Sequence, residues 1–396
     1  MNYEEIVSFI RSEFHESDGM IILHDPRFCG NERKYLLDAM DSNFVSSVGE
    51  YVNKFEKMVA EYTGSPYAVA AVNGTSALHI SLLLSGVKAD DEVITQPVSF
   101  IATCNAISYC GAKPVFIDVD RDTMGMSPEK LEDFLKNNSC RKADGFVYNN
   151  KTGRRFAAVV PMHTFGHPCR IDEIAAVCDK YNIALVEDAA ESMGTFYKEK
   201  HTGCFGKFGA ISFNGNKIIT TGGGGMILTA DEKLAKLAKH ITTTAKVPHP
   251  WEYKHDYTAY NYRLTNLAAA LGCGQIEQLE QFVVIKRELA KRYQTFFNKI
   301  GITFNVEPAY SRSNYWLMAI VLADRKERDE FLAYTNAHNV MTRPIWILNN
   351  KLDMYAGCQC GDLSNAQWLE DRVVNIPSSV IVSDYYKHIK EGKYNF

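Results

Sequence analysis

Tyr67-Ala68-Val69-Ala70-Ala71-Val72, then Asn73-Gly74-Thr75-Ser76, then Ala77 to Leu84, is the stretch on which the fold turns. The first six residues form an apolar run of strand length. Asn73-Gly74 turns the chain, and the residues from Thr75 to Leu84 read as a helix. The unit then repeats. Glu92 to Gln96 reads as a strand and Phe100 to Tyr109 as a helix. Lys113 to Ile117 reads as a strand, with Pro114 marking a sheet edge or a strand start. Ser127 caps a helix that runs to about Lys136, with Pro128 in its first position. Ala157 to Pro161, Ile171 to Tyr181 and Ile183 to Val186 continue as strand, helix and strand. This alternation predicts an α/β fold with a mainly parallel sheet, helices on both faces and right-handed crossovers. Ligands of such sheets gather at the carboxyl ends of the strands.

Outward from this block the pattern changes. On the amino-terminal side, a helix over Tyr3 to Glu13 and an extended arm with Leu23-His24-Asp25-Pro26 precede helices at Asn31 to Asp41 and Val52 to Tyr62. On the other side, Phe208 to Phe213 and Met226 to Leu228 read as buried strands. A helix from Asp231 to Thr242 and a long loop from Lys246 to Tyr257 follow. Helices at Thr265 to Gln278 and Phe282 to Phe297 lead into short strands and helices. The expected division is an arm over 1–30, a large domain over 31–262 and a smaller α+β domain over 263–396. Asn137 to Arg155 reads as an insertion loop or hairpin.

A chain of 396 residues is too long for one small core. A net charge of −4 gives no hint of a nucleic-acid partner. Met1 to His15 carries charges throughout, unlike a signal segment, and no apolar run approaches the roughly 20 residues that span a bilayer. The ten cysteines are scattered without a CxxC pair. These features predict a cytoplasmic protein with reduced thiols and no membrane partner. His163 and His167 are four apart, but Gly166 and Pro168 break any helix that would aim both at one metal, so no metal site is expected.

Four features fall at or just beyond strand ends. Asn73-Gly74-Thr75-Ser76 places backbone amides and two hydroxyls at a helix N-terminus, which suits an anion as well as a plain cap. Glu187-Asp188 ends an apolar strand, where a carboxylate is costly unless paired. Ser212 opens the loop Phe213-Asn214-Gly215-Asn216-Lys217, and Lys217 sits between two buried strands beside Gly222 to Gly225. A lysine that loses hydration there can act as an amine nucleophile. Pro97-Val98-Ser99-Phe100 puts an aromatic ring near a strand end. A phosphate cradle, an acid, a flat ring and a buried amine are together what pyridoxal 5′-phosphate requires. Its aldehyde needs an amine, its ring nitrogen an acid, and its phosphate an anion site.

From about Asn31 to its end the chain resembles the DegT/DnrJ-type sugar aminotransferases, of the aspartate aminotransferase fold (pyridoxal-phosphate fold type I). The resemblance is carried by Phe44-Val45-Ser46-Ser47-Val48-Gly49, Asn73 to Leu78, Pro161 to Gly166, Glu187-Asp188-Ala189-Ala190, Ser212 to Lys217 and Tyr260-Asn261-Tyr262-Arg263-Leu264. Thr342-Arg343-Pro344 and Asn375-Ile376-Pro377-Ser378 also fit. It implies that Lys217 condenses with the cofactor aldehyde and shuttles the proton, and that Asp188 holds the pyridinium. Gly74, Thr75, Ser76 and Ser212 would bind phosphate, and Phe100 would stack on the ring. Asn261 would reach the phosphate from the second subunit, making the active unit a homodimer with shared sites. Many relatives carry Gln or His where this chain has Glu191, a cofactor-contacting position. An ionised carboxylate there must be protonated, turned away or hydrogen-bonded elsewhere.

The loop from Thr242 to Tyr257, the His163 to Pro168 turn and Arg343-Pro344-Ile345-Trp346 resemble most closely the aminotransferases of legionaminic acid and related diamino-sugar pathways. That likeness implies L-glutamate as donor and a nucleotide-linked 4-keto-6-deoxy-N-acetylhexosamine as acceptor. His163, Lys246, Arg343 and Trp346 would face the substrate. A 3-aminotransferase and a cofactor-bound, non-enzymatic regulator are the competing readings. Relatives that remove a sugar hydroxyl carry His in place of the lysine, and Lys217 argues against that branch.

Overall fold

The structure, a computed structural model, describes residues 2–382. Seven strands form the large sheet: β1 (Tyr67–Ala71), β2 (Glu92–Thr95), β3 (Lys113–Phe116), β4 (Phe156–Val160), β5 (Ala184–Asp188), β6 (Phe208–Ser212) and β7 (Gly225–Thr229). Their order is β1-β7-β6-β5-β4-β2-β3. From β6 to β3 all neighbours are parallel. Only β7 runs antiparallel, to β1 and β6 alike. β4 and β6 are buried along their whole length, as a sheet covered on both faces requires. β3, the strand with Pro114, lies at the edge.

The local signals act where the sequence puts them. The Ser127 hydroxyl accepts from the Lys130 amide at 3.4 Å and starts helix Pro128–Asn138. The Asp231 carboxylate accepts from the Lys233 and Leu234 amides and starts helix Glu232–Thr242. The stretch expected as an insertion loop or hairpin contains the paired strands Ser139–Arg141 and Val147–Asn149. The loop expected over Lys246 to Tyr257 is itself a short hairpin, Lys246–Val247 against Lys254–His255.

A second, antiparallel sheet takes Thr303–Phe304, Met318–Val321, Val373–Ile376 and Arg343–Pro344, in that spatial order. Helices Leu279–Lys299 and Arg325–Ala337 cover it. The amino-terminal helix Tyr3–Glu13 buries Ile6, Val7 and Ile10 in one cluster with Phe297, Ile320 and Phe331. The arm therefore packs on its own chain's small sheet. Helix Asn266–Ile276, beyond the boundary expected at 263, packs against helices Glu32–Asp41 and Glu50–Thr63 beside the large sheet. No helix among the described residues is long and apolar enough to cross a membrane. All ten cysteines are free thiols.

Candidate active site

The carboxyl ends of β5 and β6, the turn after β1 and the small sheet enclose a cavity of about 730 Å³. Lys217 lies on the loop between β6 and β7, and its amide donates to the Asn214 carbonyl at 3.0 Å. Its side chain is 13% exposed, with Nζ 3.3 Å from Glu191 Oε1 and 3.8 Å from the centre of the Trp316 ring. Trp316 is itself anchored, since its Nε1 donates to the Asn216 carbonyl at 2.7 Å. The amine thus sits between a carboxylate and an indole face, both of which attract a cation.

Glu191 is buried and lines the same cavity. Its Oε2 accepts from the Phe165 amide at 2.9 Å. Burial pushes its carboxyl up to about 7, Asp188 adds to the rise, and Lys217 and the Phe165 amide oppose it. Of the three ways open to a carboxylate here, this geometry combines two: hydrogen bonds, and a raised affinity for a proton.

Asp188 closes β5. Its Oδ2 accepts from the Thr103 hydroxyl at 2.6 Å and its Oδ1 from the Ala190 amide at 3.2 Å. The Thr103 oxygen is in turn 2.6 Å from Ser99 Oγ. Burial raises the Asp188 carboxyl above its ordinary range, and these two donors work against the rise. A buried carboxylate held by neutral donors at a cavity wall gains most from a cation facing it. A protonated ring nitrogen supplies one.

The anion cradle forms where β1 and β6 end and β7 begins. Ala71 and Ser212 both pair with Gly225 across the sheet. A Cβ on Gly225 would lie 2.3 Å from the Asn73 carbonyl, and one on Gly74 would lie 2.8 Å from Ser212 Cβ. Glycine at both positions lets the helix N-terminus close onto Ser212. Asn73 caps helix Gly74–Leu84 by accepting from the Ser76 amide at 2.8 Å. Gly74, Thr75 and Ser212 line the cavity.

The cavity gathers Gly74, Thr75, Phe100, Asp188, Glu191, Ser212, Lys217, Arg343 and Trp346. Phe100 is 55% exposed, so it is a wall residue rather than core. Three residues expected at the site lie elsewhere in this chain, and Asn261, expected to serve the site of a second copy, stands outside its own chain's cavity. The Ser76 side chain is buried off the cavity and its amide is taken by Asn73. His163, expected to meet substrate, is fully buried; its Nε2 bonds Glu187 at 3.1 Å and its Nδ1 accepts from the Cys169 amide. Lys246 stands on the exposed hairpin with Nζ 4.3 Å from the Tyr253 ring centre. Asn261 is exposed, outside the cavity, and accepts from Arg263 Nε at 2.9 Å. Sequence reasoning missed Thr103 and Trp316, which also line the cavity, and gave Asn375 no place at the site. The spacing of Ser99 and Thr103 at the start of a helix was the one local signal for the first. Nothing local ties Trp316 to a loop a hundred residues away. Among the described residues no cluster of three or more His, Cys, Asp or Glu could hold a metal.

A mainly parallel sheet of seven strands, a smaller antiparallel unit and a lysine facing buried carboxylates beside an anion cradle define an enzyme of the pyridoxal-phosphate fold type I class. Within that class the chain belongs to the DegT/DnrJ/EryC1/StrS aminotransferase family, whose pattern matches residues 28–388. It is 38% identical over 327 residues to EpsN of Bacillus subtilis (strain 168), provisionally described as a pyridoxal phosphate-dependent aminotransferase. That match covers 82% of this chain and 81% of the relative. It is 36% identical over 336 residues to the GDP-perosamine synthase of Escherichia coli O157:H7, covering 85% and 87%. The solved aminotransferase TlmJ from Streptoalloteichus hindustanus superposes with a TM-score of 0.83 at 27% identity, covering 94% of this chain and 99% of that one. The protein is a pyridoxal phosphate-dependent sugar aminotransferase. The residues present fit that cofactor. They provide an amine, a buried acid for its ring nitrogen, an exposed aromatic wall and a glycine-lined helix N-terminus for its phosphate.

Proposed function

We propose that this protein moves the amino group of L-glutamate to the C4 ketone of a nucleotide-linked 4-keto-6-deoxy-N-acetylhexosamine. The pathway would be bacterial surface-sugar synthesis of the legionaminic acid or bacillosamine type. The observation that carries the reading is the single cavity that joins Lys217, Asp188 and the Gly74–Thr75–Ser212 cradle to Arg343 and Trp346. Relatives named GDP-perosamine synthase support a nucleotide-linked sugar as the acceptor.

Pyridoxal phosphate held by these residues would supply an electron sink and a carrier for the amino group. The chain's own residues do the rest. Lys217 Nζ holds the cofactor and moves a proton to and from the reacting carbon. Asp188, positioned by the Thr103 hydroxyl, would keep the ring nitrogen protonated. The amides of Gly74 and Thr75 and the Ser212 hydroxyl anchor the phosphate, with Asn261 of a second copy completing that anchor. Phe100 holds the ring face, and Trp316 and Trp346 limit water around the amine. Arg343 attracts the negative charge that both substrates carry.

The test is incubation with glutamate and a panel of GDP- and UDP-linked 4-keto-6-deoxyhexoses, with and without a 2-acetamido group. The product is identified by mass and NMR. A 4-amino product from the acetamido sugars is expected. Nitrogen appearing at C3, or no transfer to any 4-ketone, would overturn the reading.

A further inference from the structure

Asp188 is backed by two hydroxyls in series. Thr103 gives its proton to Asp188 Oδ2 at 2.6 Å, so its oxygen is left to accept. Ser99 Oγ lies 2.6 Å from that oxygen and 3.1 Å from the Phe100 carbonyl. A hydroxyl has one proton to give. When Ser99 gives it to Thr103, Thr103 becomes a stronger donor and Asp188 a weaker base. When it turns to Phe100, that support is lost. Which acceptor it meets is fixed by the backbone of the turn Pro97-Val98-Ser99.

That turn belongs to no helix or strand, and its carbonyls show what holds it. The Val98 carbonyl accepts from Gln96 Nε2 at 2.7 Å. The two outer carbonyls are held by one distant residue. The Asn349 amide donates at 3.0 Å to the Pro97 carbonyl, which also takes the Ser99 amide, and Asn349 Nδ2 donates to the Ser99 carbonyl at 3.1 Å. Asn349 is 1% exposed, so water does not compete for either bond. It ends a strap that leaves the strand Arg343–Pro344 of the small sheet. Ile345, Trp346 and Ile347 of that strap line the cavity, and the Leu348 amide is held by Glu370 Oε1 at 3.1 Å. The segment that carries Trp346 into the cavity thus also holds the support of its acid.

We propose that Asn349 is a positioning residue for the reaction: by fixing the Pro97–Ser99 turn it keeps the Ser99 hydroxyl on Thr103 and so sets the strength of Asp188. This role rests on the aminotransferase reading above, in which Asp188 faces the ring nitrogen of the cofactor. The charged groups around Asp188 are Lys217, His163 and Glu191, and none of them is altered in the variants that test Asn349. The Cys104 thiol beside Asn349 is pushed up by burial and stays neutral.

The test is read in the absorbance of the holoenzyme as pH is varied. A stronger base at Asp188 draws the ring proton toward itself. The ring then withdraws fewer electrons, and the nitrogen shared by Lys217 and the cofactor keeps its proton to higher pH. Asn349→Leu keeps the volume and removes the Nδ2 donor. It should raise the midpoint of the titration by about half a unit or more, and Ser99→Ala should do the same. The double variant should go no further than Ser99→Ala alone, since both act through one hydroxyl. Turnover should fall by roughly three- to thirtyfold, with KM for glutamate within about threefold of wild type. Melting temperature reports the folding of each variant. If Asn349→Leu does not fold, Asn349→Ser, too short to reach the Ser99 carbonyl, carries the same expectation. An unchanged midpoint in a folded Asn349 variant overturns the inference, whatever its melting temperature. Shifts that add in the double variant also overturn it, because Asn349 then reaches the cofactor by a route other than Ser99. Asp188→Asn is the control. If it moves the midpoint and the Asn349 variants do not, the role of Asn349 fails alone. If it leaves the midpoint in place, Asp188 does not face the ring nitrogen, and the reading beneath fails too.

Discussion

Glu191 is the residue at which burial and function meet most directly. Its carboxyl, ordinarily near 4.5, is raised to about 7 in the fold. The folded value lies above the unfolded one. The stability contributed by the protonated form is therefore whole below about 4.5 and is lost as pH rises through 7. A gap of this size is worth on the order of 3 kcal/mol. Glu191→Gln in the cofactor-free protein should remove that dependence. Melting curves of wild type and variant should diverge between pH 4.5 and 7.5, with the variant relatively more stable at the alkaline end. Parallel curves would mean that Glu191 keeps its charge at no cost. Asp188 is the second residue with a definite expectation. Asp188→Asn keeps the Thr103 contact within reach but cannot hold a protonated ring nitrogen. Turnover should fall by roughly 10²–10⁴-fold while cofactor still co-purifies with the protein. An unchanged rate would remove Asp188 from the chemistry.

At the scale of elements, the helix that begins at Gly74 does two things with one end. Asn73 satisfies the Ser76 amide, and the amides of Gly74 and Thr75 at the cavity are what remains for a phosphate. Asn73→Ala should cost about 1 kcal/mol of stability by losing the cap. It should also weaken cofactor retention, read as absorbance lost on dialysis. A drop in melting temperature with retention intact would separate the cap from the cradle. Elements of this kind were legible because their signals are local. Helix Ile171–Tyr181 has the bounds that its apolar spacing gives, and Asn182 stops it in the left-handed region at φ 55°. The lysine loop, its acid and its glycines were legible because each sits at a strand end. What was not legible depends on partners distant in sequence. The reversed direction of β7 follows from a return across the Lys217 loop that no periodicity encodes. His163 reads as a polar residue on a turn, but the fully buried Glu187, ringed by the Gly203, Phe205 and Gly206 amides, draws it inward. The Arg343–Asn375 pairing exists only once the small sheet has formed.

At the scale of the whole molecule, the surface holds groups that the cavity of a single chain does not use. Asn261 and Lys246 lie outside it, and Trp251 and Tyr253 on the neighbouring hairpin are 77% and 83% exposed. Large aromatic rings left in water next to candidate site residues are what a protein–protein contact would cover. If Asn261 serves the phosphate of a second copy, each complete site takes Lys217 from one chain and Asn261 from the other. The two single variants Lys217→Ala and Asn261→Ala can then rescue one another. A hybrid dimer has one site with both residues intact and one with neither. Random exchange makes about half of the dimers hybrid, so about a quarter of the normal sites return. Each variant is purified, assayed alone, mixed, unfolded and refolded together, and assayed again. Activity rising toward that quarter above the mean of the separate samples establishes shared sites. A mixture that never exceeds that mean places Asn261 in service of its own chain, and the exposed hairpin beside it then needs another partner.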